Sequence, residues 1–342
     1  MSEIPGVLMA AEIAEQPTVL SRLLDHGADA IADIARRINA FEPRTVMFAA
    51  RGTSDHAALY GSYLAQIKLG VASGLSSPST TTVYGARPDL TGVLFVAVSQ
   101  SGGSPDLVES IHVAGDCGAL TVAVTNALDS PLAQAADLHV DVQAGAERAV
   151  AATKSYTSEL LALYLLLVGA AGTLDLVSLS RLADAAQATL DTGERADAAG
   201  RTYRFVDRIV VTARGYSYPT AREAALKLME TSYLSAHPFS GADLLHGPLA
   251  MVDANVPVIA VATPGASGRA MAPVIERLRE IGSDPLLVGP ADGLPVSTEG
   301  VAEELWPILE ILPLQRLAWR MALDRGHDPD RPRGLQKVTQ TR

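Results

Sequence analysis

Two kinds of hydrophobic patterning alternate along the chain. Continuous apolar runs, TVMFAA at 45–50, GVLFVAVS at 92–99 and ALTVAVT at 119–125, predict strands buried on both faces. Between them, SDHAALYGSYLAQIKL at 54–69 and SPDLVESIHVAGDC at 104–117 carry apolar positions every three to four residues and predict helices. Strands that alternate with helices predict a parallel sheet with right-handed crossovers. About the first 40 residues read as amphipathic helix, broken at Pro17 and ending near NAFEPR.

The pattern then repeats. ARGTS at 50–54 recurs as ARGYS at 213–217, and AVSQSG from Ala97 falls on AVATPG from Ala260, both 163 residues apart. Two landmarks at one offset predict an internal duplication, hence two doubly wound α/β domains. The expected layout is an N-terminal helical segment at 1–34, a first domain at 35–172, a helical connector at 173–199, a second domain at 200–325 and a tail at 326–342.

Composition narrows the partners. At 342 residues the chain exceeds the usual single core, and 48% hydrophobic against 19% charged residues predicts a compact fold. The net charge is −11 and no Lys/Arg cluster tracks a phosphate backbone, so no nucleic-acid partner is expected. The apolar run at 160–172 falls short of the ~20 residues that span a membrane and predicts a buried core or interface helix. No signal peptide is expected, since Glu3, Glu12 and Glu15 flank a short apolar stretch. Cys117 is the single cysteine, which excludes an internal disulfide, and no His/Cys group has zinc-ligand spacing. The expectation is a cytoplasmic protein with no metal and no cofactor.

Candidate chemistry sits after the strands. In SQSGGS, Ser99, Gln100, Ser101 and Ser104 surround two glycines just before a helix N-terminus; small glycines let backbone N–H groups approach an anion, and the helix dipole favours it. RGTS, with Thr53 and Ser54, ends the preceding strand at the same sheet edge, where open α/β sheets bind ligands. Each loop alone reads as a cap and a turn. In REAALKLMETSY, Glu223, Lys227 and Glu230 fall at i, i+4 and i+7 on one helix face. They read either as a solvated Glu–Lys pair or as a general base with its partners. His246 stands before Gly247-Pro248, where a fixed turn aims it; alone it reads as a structural histidine. The tail DPDRPRGLQKVTQTR reads as disordered by composition, with Lys337 a solvated charge.

Taken in order, RGTSDHA, SQSGGSPD, ERAVAATKSYT, EAALKLMETSY, LLHGPLA and RPRGLQKVT resemble the tandem sugar isomerase (SIS) domain family. The likeness extends to the isomerase half of glucosamine-6-phosphate synthase and to stand-alone amino-sugar-phosphate deaminases. It implies two flavodoxin-like SIS domains with parallel sheets, N-terminal helices and a C-terminal tail over the active site. It further implies that Thr53, Ser99, Gln100, Ser101 and Ser104 hold a sugar 6-phosphate, and that Glu230 is the base moving a proton between C1 and C2. Glu223 and Lys227 become pocket residues, and His246 the ring-opening acid/base, supplied by the partner of a homodimer. Lys337 becomes a tail lysine able to form an imine, and the backbone at Val150 and Ala152 meets the sugar hydroxyls.

Three positions depart from the family pattern: Gly103 stands for glutamate, Ala152 for serine and Met229 for lysine. Residue 2 is serine where a glutaminase domain would carry its cysteine, so glutamine-dependent synthesis is not expected. The leading expectation is an amino-sugar 6-phosphate deaminase/isomerase. Elimination at C3 of N-acetylglucosamine 6-phosphate and a non-catalytic phosphosugar-binding regulator stand as alternatives.

Overall fold

A computed structural model describes residues 4–337. Its contacts divide the chain into two compact units, Thr18–Glu147 with Lys154–Leu176, and the stretch up to Pro17 with Arg148–Thr153 and Val177–Lys337.

The first unit holds five parallel strands: β1 (Thr45–Ala49), β2 (Ala72–Leu75), β3 (Val93–Ser99), β4 (Leu120–Thr125) and β5 (Leu138–Asp141), in the order β2-β1-β3-β4-β5. The second holds β6 (Arg208–Ala213), β7 (Ser235–Ser240), β8 (Val258–Val261), β9 (Leu286–Gly289) and β10 (Leu294–Pro295), in the order β7-β6-β8-β9-β10. Counted within each repeat, both orders are 2-1-3-4-5, the flavodoxin-like arrangement. The 163-residue offset therefore reflects a duplicated fold. In each sheet the order reverses between the first and third strands, and that crevice is where the fold takes ligands.

Alternation along β1 assigns the faces. Met47 and Ala49 join the cluster of Phe95, Ala97, Leu107 and Ile111 beneath the helix Pro105–Asp116. Phe48 faces the helix Thr53–Leu64, and Gly61 of that helix approaches so closely that a Cβ would lie 2.7 Å from the Phe48 ring. Apart from Gly169, every residue of the helix Lys154–Ala170 is buried, so the apolar run beginning at Leu160 is core. In the second unit Val210, Val258 and Ala260 pack beneath the helix Ala266–Glu280 through Met271, Val274 and Leu278. The helices Tyr218–Ser232 and Trp306–Asp324 pack on each other.

The amphipathic N-terminal stretch forms three helices, Val7–Ala14, Gln16–His26 and Ala28–Phe41. Pro17 lies in the first turn of the second, where its missing N–H costs nothing. The tail departs from its compositional reading over the residues described. Asp330 is buried and accepts the N–H groups of Leu8 at 3.0 Å and Met9 at 2.8 Å, while Asp328 accepts that of Gly6 at 3.1 Å. Two tail carboxylates thus satisfy the free donors that open the helix Val7–Ala14. Among the described residues no helix is long and apolar enough to cross a membrane.

Candidate active site

The candidate residues fall into two groups, one in each unit. In the first unit the loop after β3 and the loop after β1 flank the sheet's order reversal. Ser99 Oγ accepts the Gly102 N–H at 3.2 Å and Ser101 Oγ the Gly103 N–H at 3.3 Å, which folds the loop on itself. Gly102 has φ +61°, and a Cβ there would lie 2.2 Å from Ser130 Oγ, so only glycine fits. Ser104 lies just outside the helix Pro105–Asp116 without capping it by its side chain. Gln100, Ser101 and Ser104 are partly exposed at the mouth of the loop.

Arg51 ties the two loops together. Its Nε and Nη2 lie 3.0 and 2.9 Å from Asp106 Oδ2, in the first turn of the helix that the 99–104 loop leads into. The intervening Gly52 has φ +57° and ψ −130°, a conformation open to glycine, after which Thr53 starts the next helix. Ser54 turns inward: it is buried and donates to Glu159 Oε1 at 2.8 Å.

The duplication repeats that inward pair. Ser217, at the 163-residue offset from Ser54, donates to Glu310 Oε1 at 3.0 Å. Burial pushes the Glu310 carboxyl up to about 7, against hydrogen bonds from Ser217 and Thr220 that favour its charged form. The 99–104 loop is repeated in position only. In the second unit the helix Ala266–Glu280 presents its first N–H groups to Glu303, which accepts from Ala266 N at 2.9 Å, Ser267 N at 2.8 Å and Ser267 Oγ at 2.8 Å. A carboxylate of this chain occupies the place that the first unit leaves to the partly exposed side chains of its loop. A Cβ on Gly265 would come within 2.8 Å of the Glu303 carboxyl carbon.

The second group lies on the helix Tyr218–Ser232. Glu223 and Lys227 are fully buried; Lys227 Nζ lies 3.4 Å from Glu223 Oε1 and also pairs with Glu230 Oε2, whose side chain is 22% exposed. This excludes the solvated-pair reading. A buried ammonium between two carboxylates leaves one acid side chain open to a ligand. The helix starts at its own sheet's ligand edge, directly after β6 and the turn Gly215–Ser217. Glu230 stands twelve residues after Tyr218, roughly 18 Å along the axis at 1.5 Å per residue, at the helix's opposite end.

Around the same unit, Glu12 accepts the N–H groups of Arg148 and of Ala149, the latter at 3.3 Å, and fixes the segment 148–153. From Ala149 to Thr153 buried and partly exposed residues alternate, with Val150 and Ala152 partly exposed. The Val150 N–H is taken by the Asp330 carbonyl at 3.1 Å. Lys337 Nζ donates to the Ala149 carbonyl at 2.7 Å, which brings the tail lysine to this segment. His246 caps the short helix Gly241–Leu245, its N–H on the Asp243 carbonyl at 3.0 Å and its side chain exposed. The geometry thus joins Glu223, Lys227 and Glu230, joins Lys337 to the 148–153 segment, and leaves His246 on a separate turn.

Sequence reasoning missed Arg51–Asp106, Glu303 and the Ser–Glu pair of each repeat. The offset already aligned Ser54 with Ser217. A glutamate in the last long helix of each repeat was the signal that would have completed the pairs.

Comparison with known proteins agrees with this layout. The SIS domain family model matches residues 41–169 and 203–298. A glutamine–fructose-6-phosphate aminotransferase (isomerizing) of Methanothermobacter thermautotrophicus is 32% identical over 340 residues, covering 96% of this chain and 56% of the relative. Its namesake from Gloeobacter violaceus is 35% identical over 354 residues, covering 96% and 58%. The chain spans a little over half the length of these relatives. Among solved structures, a protein assigned as a phosphosugar isomerase from Silicibacter pomeroyi aligns with TM-score 0.85 at 34% identity, over 95% of this chain and 100% of that one. Glucosamine-6-phosphate deaminase from Thermotoga maritima shares the fold with TM-score 0.82 at 22% identity, over 97% and 99%. Matched across both repeats and aligned with relatives along nearly its whole length, the chain belongs to the SIS domain family.

Proposed function

We propose that the protein is an amino-sugar 6-phosphate deaminase/isomerase. The observation that carries this reading is the Glu223–Lys227–Glu230 array, in which two groups are buried and only Glu230 is open to a substrate. Burying an ammonium between two carboxylates is weak as a stabilising device, so the arrangement favours chemistry. In the reading, the 99–104 loop and Thr53 hold the 6-phosphate, and His246 opens the ring by moving the O1 proton to O5. Glu230 takes the C2 proton of the open-chain aldehyde while O1 gains one, giving an enaminol. Return of a proton to C1 yields the C2 imine; water adds at C2, ammonia leaves, and fructose 6-phosphate remains. Lys337 forms an imine with the C2 ketone, releasing water. The protein acts as a cytoplasmic homodimer with His246 reaching the partner's substrate, and requires no metal or cofactor.

Glucosamine 6-phosphate and its N-acetyl form test this, with ammonia release and product mass as readouts. Ammonia from the free amine is expected. Loss of water from the acetylated sugar alone would replace the reading with C3 elimination, a route kept open by Ala152, which offers no hydroxyl to the sugar. No turnover of either would leave a phosphosugar-binding regulator. Glu230→Gln is expected to abolish turnover while phosphate binding persists; a normal rate in that variant would sink the assignment of the base.

A further inference from the structure

Beside the Asp328 and Asp330 contacts with the first helix, three other ties hold the tail within the second unit. The Asp330 carbonyl accepts the Val150 N–H at 3.1 Å, the Arg333 N–H donates to the Tyr233 phenol oxygen at 2.8 Å, and Lys337 Nζ donates to the Ala149 carbonyl at 2.7 Å. The middle tie belongs to the segment that carries the acid–base array. Tyr233 directly follows the helix Tyr218–Ser232, three residues after Glu230, and its left-handed backbone (φ 55°, ψ 34°) ends that helix. Its ring is engaged by two tail residues: the Arg333 guanidinium lies 4.1 Å from the ring centroid, and the His327 ring packs at 4.6 Å, tilted by 57°. A phenol that accepts a backbone N–H while its ring carries the same residue's cation grips one point of the tail in two ways.

We propose that Tyr233 is a positioning residue for Lys337, acting through Arg333 to limit how far the tail lysine can travel. The inference rests on the reading of Lys337 as the imine-forming amine. When Lys337 leaves the Ala149 carbonyl for a sugar ketone, the tie at Arg333 remains, and four residue steps allow at most about 14 Å of extended chain. Measured instead from the tie at the Asp330 carbonyl, seven steps away, the allowance grows to about 25 Å. The local concentration of a tethered end falls roughly as the −3/2 power of tether length for a flexible chain and as the cube for a stretched one. Losing the tie therefore dilutes the lysine about two- to five-fold. Tyr233 thus links the helix that moves the proton to the amine that captures the ketone.

The test uses the full chain with the double variant Tyr233→Phe/Arg333→Ala and, separately, with Tyr233→Leu, each of which removes both the phenol and the guanidinium–ring contact. Lys337→Arg serves as the control. Hydrogen exchange over residues 331–337 without sugar reports the tie itself. It is expected to quicken in both clamp variants and to stay unchanged over the helix Tyr218–Ser232. Cyanoborohydride trapping with fructose 6-phosphate reports the lysine. Adduct formation on residue 337 is expected to slow about two- to five-fold in the clamp variants and to vanish in Lys337→Arg. Trapping at the parent rate in both clamp variants overturns the positioning role, whether or not exchange quickens. A parent that forms no adduct on Lys337 overturns instead the reading on which the inference rests, and the inference falls with it.

Discussion

Glu310 and Glu303 lie in the same unit yet should respond to pH in opposite directions. Burial raises the Glu310 pKa from 4.5 to about 7, so the folded chain retains a proton that the unfolded chain has released. As pH rises from 4.5 to 7 the unfolded state therefore binds fewer protons than the folded one. Stability falls through this window by about 3 kcal/mol from this group. Glu310→Gln keeps a neutral side chain and is expected to flatten the dependence, measured as urea midpoints across that range. A slope unchanged in the variant would show that Glu310 does not carry it. For Glu303 burial pushes the pKa up, but hydrogen bonds from Ser267 and Ala266 outweigh it and leave the pKa lowered. Its contribution is present above the ordinary carboxylate range and is lost as pH falls below it. Glu303→Ala removes a carboxylate from a helix N-terminus and is expected to cost about 1–2 kcal/mol by denaturant titration at neutral pH. Neither glutamate was legible as a partner in the sequence, because each meets its hydroxyl or amide at a separation of at least 36 positions without local periodicity.

At the scale of elements, the loops were legible and the helix only half so. The strand–loop–helix pattern around SQSGGS specifies its own geometry: glycines permit the turn, Pro105 starts the helix, and Ser99 and Ser101 close the loop. Gly102→Ala opposes both a positive φ and a 2.2 Å approach to Ser130 Oγ. It is expected to lower stability by about 1–3 kcal/mol. It is also expected to weaken inorganic phosphate binding about tenfold, as loss of one hydrogen bond to a charged group would. Calorimetric titration checks this, and unchanged affinity would remove the loop from phosphate binding. For the helix Tyr218–Ser232, spacing put Glu223, Lys227 and Glu230 on one face but could not tell a solvated face from a buried one. Burial depends on what packs against the helix, and here helix Trp306–Asp324, about eighty residues later, does so. Spacing also could not reveal that Glu230 lies at the end of the helix remote from its own sheet's ligand edge.

At the scale of the whole molecule, the duplication was legible because two landmarks share one offset, but the unequal use of the repeats was not. The first repeat leaves its 99–104 loop partly exposed, whereas the second fills the equivalent place with Glu303 and carries the Glu223–Lys227–Glu230 array toward the far end of a helix. Divergence of this kind leaves the 2-1-3-4-5 order intact in both sheets, since the order depends on the core and the function on a few loop residues. The exposed turn at His246 is the feature that a single chain leaves unexplained. If His246 serves the partner's substrate, as proposed, Glu230→Gln and His246→Ala proteins should each be inactive alone, yet complement after subunit exchange. In a mixed dimer one site draws a good Glu230 from the His246→Ala chain and a good His246 from the other chain, while the second site lacks both. Random exchange makes about half the dimers mixed, so activity should recover to about a quarter of the parent. A histidine acting within its own chain gives no recovery at any mixing ratio, because every site then lacks one of the two groups.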